Sequence, residues 1–263
     1  MIRALLWDVD GTLAETERDG HRIAFNRAFE ACGLAWRWDV ERYGELLRVT
    51  GGRERLLHDM ASRADAPALP DERQALAAQL HQRKNSYYAE LVGQGGIALR
   101  PGVLELMNEC RARGVRMGIA TTTSRANVAA LLAQQLGRDS LAWFDTVVCG
   151  EDVQRKKPDP EVYTLALREL GIGALEAIAI EDSPGGAAAA QQAGVPVVVT
   201  RSAYFAADSV EGAIAIGPGL HRRIGWVPRP DAGVSAEPPT RERIGLDDLI
   251  EWHARMDIVS QHG

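Results

Sequence analysis

Ile2-Arg3-Ala4-Leu5-Leu6-Trp7-Asp8-Val9-Asp10-Gly11-Thr12-Leu13 decides the fold of this chain. A short apolar run ends in two carboxylates two positions apart, followed by a glycine. Alternate residues of a strand share a face, so Asp8 and Asp10 project together unless the backbone swings at Gly11. One acid and one backbone carbonyl aimed at the same point can hold a metal, and glycine lets a phosphate approach the backbone closely. Asp, Gly and Thr are also ordinary turn residues, so a solvated strand-to-turn junction is the plain alternative. The segments farther along the chain decide between the two.

From Thr16 to about Leu91 the pattern is helical, with Ile23, Phe25, Ala28 and Phe29, and later Leu76, Leu80, Tyr87 and Leu91, at spacings that include i, i+3 and i+4 pairs. Gly93-Gln94-Gly95-Gly96 breaks this pattern, and short apolar strands then alternate with helices. Strands are expected at Val115 to Ala120, Phe144 to Val148, Ala177 to Ile180 and Val195 to Val199. Helices are expected at about Gly102 to Arg113, Arg125 to Leu136, Pro160 to Leu170 and Gly185 to Ala193. The alternation implies an α/β fold, a doubly wound parallel sheet whose first strand is followed by a helical insertion. The expected division is a core of residues 1–15 and 96–263 and a helical domain of residues 16–95. Within the core, Pro228, Pro230, Pro238 and Pro239 mark residues 218–245 as an irregular surface segment, and residues 246–256 read as a terminal amphipathic helix.

The chain has 263 residues, 46% of them hydrophobic, enough for a real core. Its 30 basic and 36 acidic residues give a formal charge of -6, with no basic run of the kind that binds nucleic acid. Cys32, Cys110 and Cys149 are far apart and lack C-x-x-C spacing, so they read as reduced core thiols in a reducing compartment. No apolar stretch reaches the ~18 residues that span a bilayer, and no charged lead with an apolar signal core precedes the first strand. A cytoplasmic protein with no membrane or nucleic-acid partner is expected.

Ligands of doubly wound sheets collect at the carboxyl ends of the strands, and here those ends are polar. Thr121-Thr122-Thr123-Ser124 follows the second strand and leads into a helix, where hydroxyls and exposed N–H groups suit phosphate oxygens or, equally, a helix cap. Lys156-Lys157-Pro158-Asp159-Pro160 follows the third; Pro158 keeps Lys157 out of helical geometry, and a lone lysine pair is otherwise a surface feature. Glu181-Asp182-Ser183-Pro184-Gly185-Gly186 follows the fourth, a capped turn by itself and a divalent-metal ligand set beside Asp8.

In order and spacing, DVDGT, TTT, KKPDP and EDSPGG resemble the four motifs of the haloacid dehalogenase superfamily of phosphotransferases, over residues 1 to 217. That resemblance implies a Rossmann-like core and assigns Asp8 as the nucleophile of an aspartyl-phosphate and Asp10 as the acid/base. It makes Thr121 and the Thr122 amide phosphate ligands, and has Lys157 neutralise the phosphate and hold Asp8. Asp8, the Asp10 carbonyl and Asp182, with Glu181 nearby, become ligands of Mg²⁺. Hard oxygen donors favour that ion, and two anions can react only where cations offset their repulsion. Asp10 has to carry a proton in one half-reaction, so its pKa is expected above the free value.

The insertion resembles the helical cap of the β-phosphoglucomutase-like subgroup. Ala14 to Glu17, Leu34 to Trp38, Tyr43, Leu46 to Leu56 and His81 to Tyr88 resemble the CbbY-type sugar-bisphosphate phosphatases, which remove phosphate from xylulose 1,5-bisphosphate, a Rubisco inhibitor formed as a misfire product of the Calvin cycle. The analogy turns Glu17, His21, Tyr43, Arg48 and Arg53 toward the sugar and its second phosphate, although His21 also reads as a helix-surface histidine and Tyr43 and Arg48 as packing residues. Gly51 and Gly52 let the backbone approach an anion that Arg53 clamps, with Arg55 expected on the solvated side. The expected partner is a phosphorylated sugar bound by a monomer. A sugar-phosphate mutase, a phosphatase of another sugar phosphate or phosphoglycolate, and a non-catalytic phosphosugar-binding protein are the alternatives.

Overall fold

The computed structural model describes residues 1–229 and 242–259, and Pro230, Pro238 and Pro239 lie outside them. Among the described residues, seven strands form one sheet in the order β3-β2-β1-β4-β5-β6-β7. They are β1 (Ala4–Trp7), β2 (Arg116–Ala120), β3 (Thr146–Val148), β4 (Ala177–Glu181), β5 (Val197–Thr200), β6 (Ala215–Gly217) and β7 (Val227–Pro228). The first six run parallel, with Leu5 level with Met117 and Ile178, so Asp8 emerges at the switch point of the strand order.

Parallel strands bury both faces, which is why their sequences are nearly continuous apolar runs. Leu5, Trp7, Ile178 and Ile180 pack on one face with α5 (Val103–Ala112), α6 (Arg125–Leu136) and α9 (Leu246–Val259). Ala4, Leu6, Ala177 and Ala179 face α7 (Glu161–Leu170) and α8 (Pro184–Gln192) on the other. Leu246, Leu249 and Trp252 dock the terminal helix on the core.

Two strands depart from the expectation. β6 and β7 extend the sheet past Val199, and β7 places an antiparallel edge inside the segment expected to be irregular. Three- and two-residue strands are too short to show a period, and Pro228, which has no N–H to donate, is tolerated at an edge.

Between β1 and Leu99 every regular element is helical: a π-turn at Glu17–His21 running into α1 (Arg22–Ala31), then α2 (Val40–Leu46), α3 (Gly52–Ala61) and α4 (Pro70–Gly93). Their own core is aromatic, with Trp38 packed 4.8 Å from Phe25 and 4.9 Å from Phe29, ring centroid to ring centroid. Burying the Trp38 indole requires a partner for its N–H, and Asp59 Oδ2 accepts it at 2.8 Å. The two linkers to the sheet meet where Ala14 bridges Leu99 and the Arg100 amide donates to Leu13 O at 2.7 Å. Among the described residues no helix is long and apolar enough to cross a membrane. Cys110 and Cys149 are buried free thiols, pushed up to about 12 chiefly by burial, and Cys32 is half-buried.

Candidate active site

A cavity of about 390 Å³ lies between the carboxyl ends of the strands and the helical insertion, lined by Asp8, Asp10, Thr121, Thr122, Lys157 and Asp182 from the sheet side. Each follows the strand that places it. Ser124 takes the cap of α6, its hydroxyl accepting from the Asn127 amide at 3.3 Å, which leaves Thr121 and Thr122 to face the cavity.

Lys157 is the hub. Its ammonium donates to Asp8 Oδ1 at 2.7 Å, Glu181 Oε1 at 2.6 Å and Ala120 O at 2.8 Å, binding the ends of β1, β4 and β2 together while only 5% exposed. Burial alone lowers a lysine, but Asp8 and Glu181 outweigh it and hold Lys157 above its ordinary value. The Glu181 carboxylate also accepts from the Tyr163 hydroxyl.

Asp8 is pushed up to about 7 by burial, helped by Glu181 and Asp10 and opposed by Lys157. Burial, with Asp8 and Glu181 beside it, raises Asp182 well above the carboxylate range. Gly11, at φ +87°, lets the backbone turn, and a side chain there would strike the Asp182 carboxylate. Oxygens of Asp8, Glu181 and Asp182 lie within 4.8 Å of one another, and Glu181 Oε2 is buried with no hydrogen-bond partner. Converging hard oxygen donors at the edge of a cavity, with room for water and phosphate oxygens, are the ligand type Mg²⁺ takes, so the residues fit that ion.

Asp10 behaves differently from the expectation of a raised pKa. Burial, its largest single influence, pushes it up, but His21, Thr16 and Lys84 together hold it below the usual carboxylate range. Oδ1 accepts from Thr16 Oγ1 at 2.6 Å and faces His21 Nε2 at 2.9 Å.

On the helical side, His21, Glu17, Arg48, Gly51 and Gly52 line the cavity. Tyr43 does not; it is fully buried, and its hydroxyl donates to Glu17 while accepting from Arg55 Nη1 at 2.8 Å. The two arginines of α3 exchange the places expected for them. Arg53 is exposed and donates to Gln74 Oε1 at 2.8 Å, away from the cavity. Arg55 is buried, lines the cavity and lies 3.7 Å from Glu17. Arg55 stands one turn before the buried Asp59 (i, i+4), whereas Arg53, in the first turn of α3, reaches out to Gln74 of α4.

His81, Lys84 and Lys156 also line the cavity; they lie in segments the sequence singles out, without a role assigned to them there. Lys84 is 4% exposed, lies over the rings of Phe25 and Tyr88, and is lowered to about 8 chiefly by burial. A lysine interrupting the stripe of Leu80 and Tyr88 was the available signal. His81 is lowered to about 4 by burial and then by Lys84 and Lys156. Lys156 donates to Glu54 Oε1 at 2.7 Å, tying α3 to the loop that carries Lys157.

Residues 2–194 match the family described as haloacid dehalogenase-like hydrolase. The chain is 43% identical over 212 residues to protein CbbY of Rhodobacter capsulatus, covering 81% of this chain and 91% of that protein. It is 38% identical over 216 residues to a CBBY-like protein of Arabidopsis thaliana, covering 81% and 67%. It superposes with a TM-score of 0.79 on a crystal structure of a CbbY mutant from Rhodobacter sphaeroides in complex with xylulose 1,5-bisphosphate, at 41% identity, covering 84% and 96% of the two chains.

Proposed function

Because the chain belongs to the haloacid dehalogenase-like hydrolases, we propose that it is a Mg²⁺-dependent sugar-bisphosphate phosphatase whose substrate is xylulose 1,5-bisphosphate, working in the cytoplasm as a monomer. The observation that carries this reading is a cavity with basic side chains at both ends, the sheet end also holding the acidic cluster that a divalent cation would neutralise. Lys157 stands beside Asp8 at the sheet, and Arg55, Lys84 and Lys156 stand on or against the helical side. A compact molecule with two phosphates matches that distribution, and the R. sphaeroides relative binds such a sugar.

Asp8 attacks phosphorus and forms an aspartyl-phosphate as the sugar oxygen leaves. Lys157, already on Asp8, offsets the charge of the incoming phosphate, and Thr121 and the Thr122 amide orient it. Asp8, Asp182 and Glu181, with the Asp10 carbonyl, would hold Mg²⁺, which when bound supplies further charge neutralisation between nucleophile and phosphate. Asp10, once it has taken up a proton from solvent, gives it to the leaving oxygen, and then takes one from the water that attacks phosphorus, breaks the aspartyl-phosphate bond and frees Asp8 and phosphate. To do so it exchanges its bonds from Thr16 and His21 for one to the substrate, and that exchange removes the contacts that hold its pKa down. Glu17, held by Tyr43 and Arg55, faces the sugar hydroxyls.

The test is phosphate release with Mg²⁺ from xylulose 1,5-bisphosphate, ribulose 1,5-bisphosphate, β-glucose 1-phosphate and phosphoglycolate, with Asp8→Asn as the blank. A preference of about a hundredfold or more in kcat/KM for the first, lost in the blank, is expected. Equal turnover of all four would leave a general phosphatase, and isomerisation without free phosphate would make the protein a mutase.

A further inference from the structure

Arg100 belongs to none of the motifs and stands on the linker that returns from the helical insertion to the sheet. Its side chain is 11% exposed and donates to Gly11 O, to Thr200 O at 2.9 Å, to Arg201 O at 2.6 Å and to Pro218 O at 3.2 Å. It reaches Thr200 Oγ1 at 3.1 Å, and the Glu15 carboxylate lies 3.6 Å away. One guanidinium thus joins the loops that follow β1, β5 and β6.

Two of those loops form the seat of Asp182. Gly11 packs against its carboxylate from one side. Ser202, next to the Arg201 whose carbonyl Arg100 binds, stands beside both Gly11 and that carboxylate. A guanidinium fork has fixed geometry, so it sets the spacing of the carbonyls it bridges; an ammonium, a point donor on a flexible stem, does not.

We propose that Arg100 is a positioning residue for the divalent-metal seat, fixing the gap between the Gly11 loop and the Arg201–Ser202 loop so that Asp182 stays turned toward Asp8. The inference rests on the metal-dependent reading above. Direct hydrogen-bond partners of metal ligands commonly change affinity by about 10- to 100-fold, and Arg100, one step further out, is expected at the low end.

The experiment titrates Mg²⁺ into wild type and Arg100→Lys by calorimetry, beside steady-state kinetics at low and saturating Mg²⁺. In Arg100→Lys, Mg²⁺ binding about tenfold weaker is expected, with kcat recovered at saturating Mg²⁺ and the sugar KM within about twofold of wild type. Wild-type Mg²⁺ affinity in Arg100→Lys, with only a lowered Tm, would overturn the proposal and leave Arg100 a rivet of the fold. Failure of wild type to bind Mg²⁺ would overturn the metal reading and this inference together. Hydrogen exchange of wild type gives a check independent of variant folding. Mg²⁺ should slow the amides of Gly219 and Leu220, which carry no carboxylate ligand and join the seat through Arg100, along with those of Thr12 to Ala14; protection confined to the latter would refute the coupling.

Discussion

Arg55 is buried among groups that each have a reason to keep it there. Its Nη1 donates to the Tyr43 hydroxyl, its Nε to Leu46 O at 3.2 Å, and Glu17 supplies the countercharge 3.7 Å away. An always-charged, planar group so fixed faces the cavity at little further entropic cost, which is what an anion receptor needs. Replacing it by lysine keeps the charge but removes the fork, at the ~2 kcal/mol typical of a lost charge-assisted hydrogen bond. Arg55→Lys is expected to lower kcat/KM for the bisphosphate roughly thirtyfold and for a monophosphate only a fewfold. Arg53→Ala, on the exposed side of α3, should stay within about twofold on both substrates, since surface changes away from such contacts are small. Comparable losses in the two variants would show that α3 turns its other face to the substrate.

At the scale of elements, α4 joins two cores. Ala77 and Leu80 belong to the aromatic core of the insertion, whereas Tyr88 and Val92 pack with the sheet, and Asn85 Oδ1 accepts from Asn127 Nδ2 of α6 at 3.4 Å. A helix shared in this way transmits loss of packing from one core to the other. Leu80→Ala should therefore cost about 2–5 kcal/mol, and the far-UV dichroism and tryptophan fluorescence transitions should remain coincident. Separate melting of the insertion would show that the cores are independent. The strands β1 to β4 were legible because their apolar runs lead into polar motifs, β5 as the apolar run Val195 to Val199, and α6 was legible to its last residue, Leu136. β6 and β7 were not, because so few residues carry no period. Arg55 was misplaced because periodicity does not choose between the two arginines: Arg53 stands seven residues before the buried Met60, and Arg55 four before the buried Asp59. Arg100 left no trace in the sequence, since what it binds is backbone brought in from three loops distant in the chain.

Over the whole molecule, the sheet gathers more buried negative charge at one point than Lys157 alone balances. Asp8, Glu181 and Asp182 are all buried there, with Asp8 held up to about 7 and Asp182 well above its usual range. The metal-free protein consequently binds more protons when folded than when unfolded, from about pH 4 upward. A carboxyl raised in this way stabilises the fold fully below its unfolded pKa, and that contribution fades as pH climbs through about 7. Asp10, held low, works in the opposite direction, but its contribution is lost only on acidification below its unfolded pKa of about 4, outside the working range. Mg²⁺ competes with the protons on the raised carboxyls, because ligands have to be deprotonated to bind a metal. The rise in Tm produced by a fixed Mg²⁺ concentration should therefore be small at pH 5.5 and grow toward pH 8, as the metal-free protein loses stability and the metal no longer displaces protons. Calorimetry at pH 6.5 in buffers of different ionisation enthalpy should show protons released on binding, and Asp8→Asn should release fewer. A Tm increment independent of pH, or binding without proton release at pH 6.5, would mean that these carboxylates are already ionised in the metal-free fold and that Lys157 suffices to balance them.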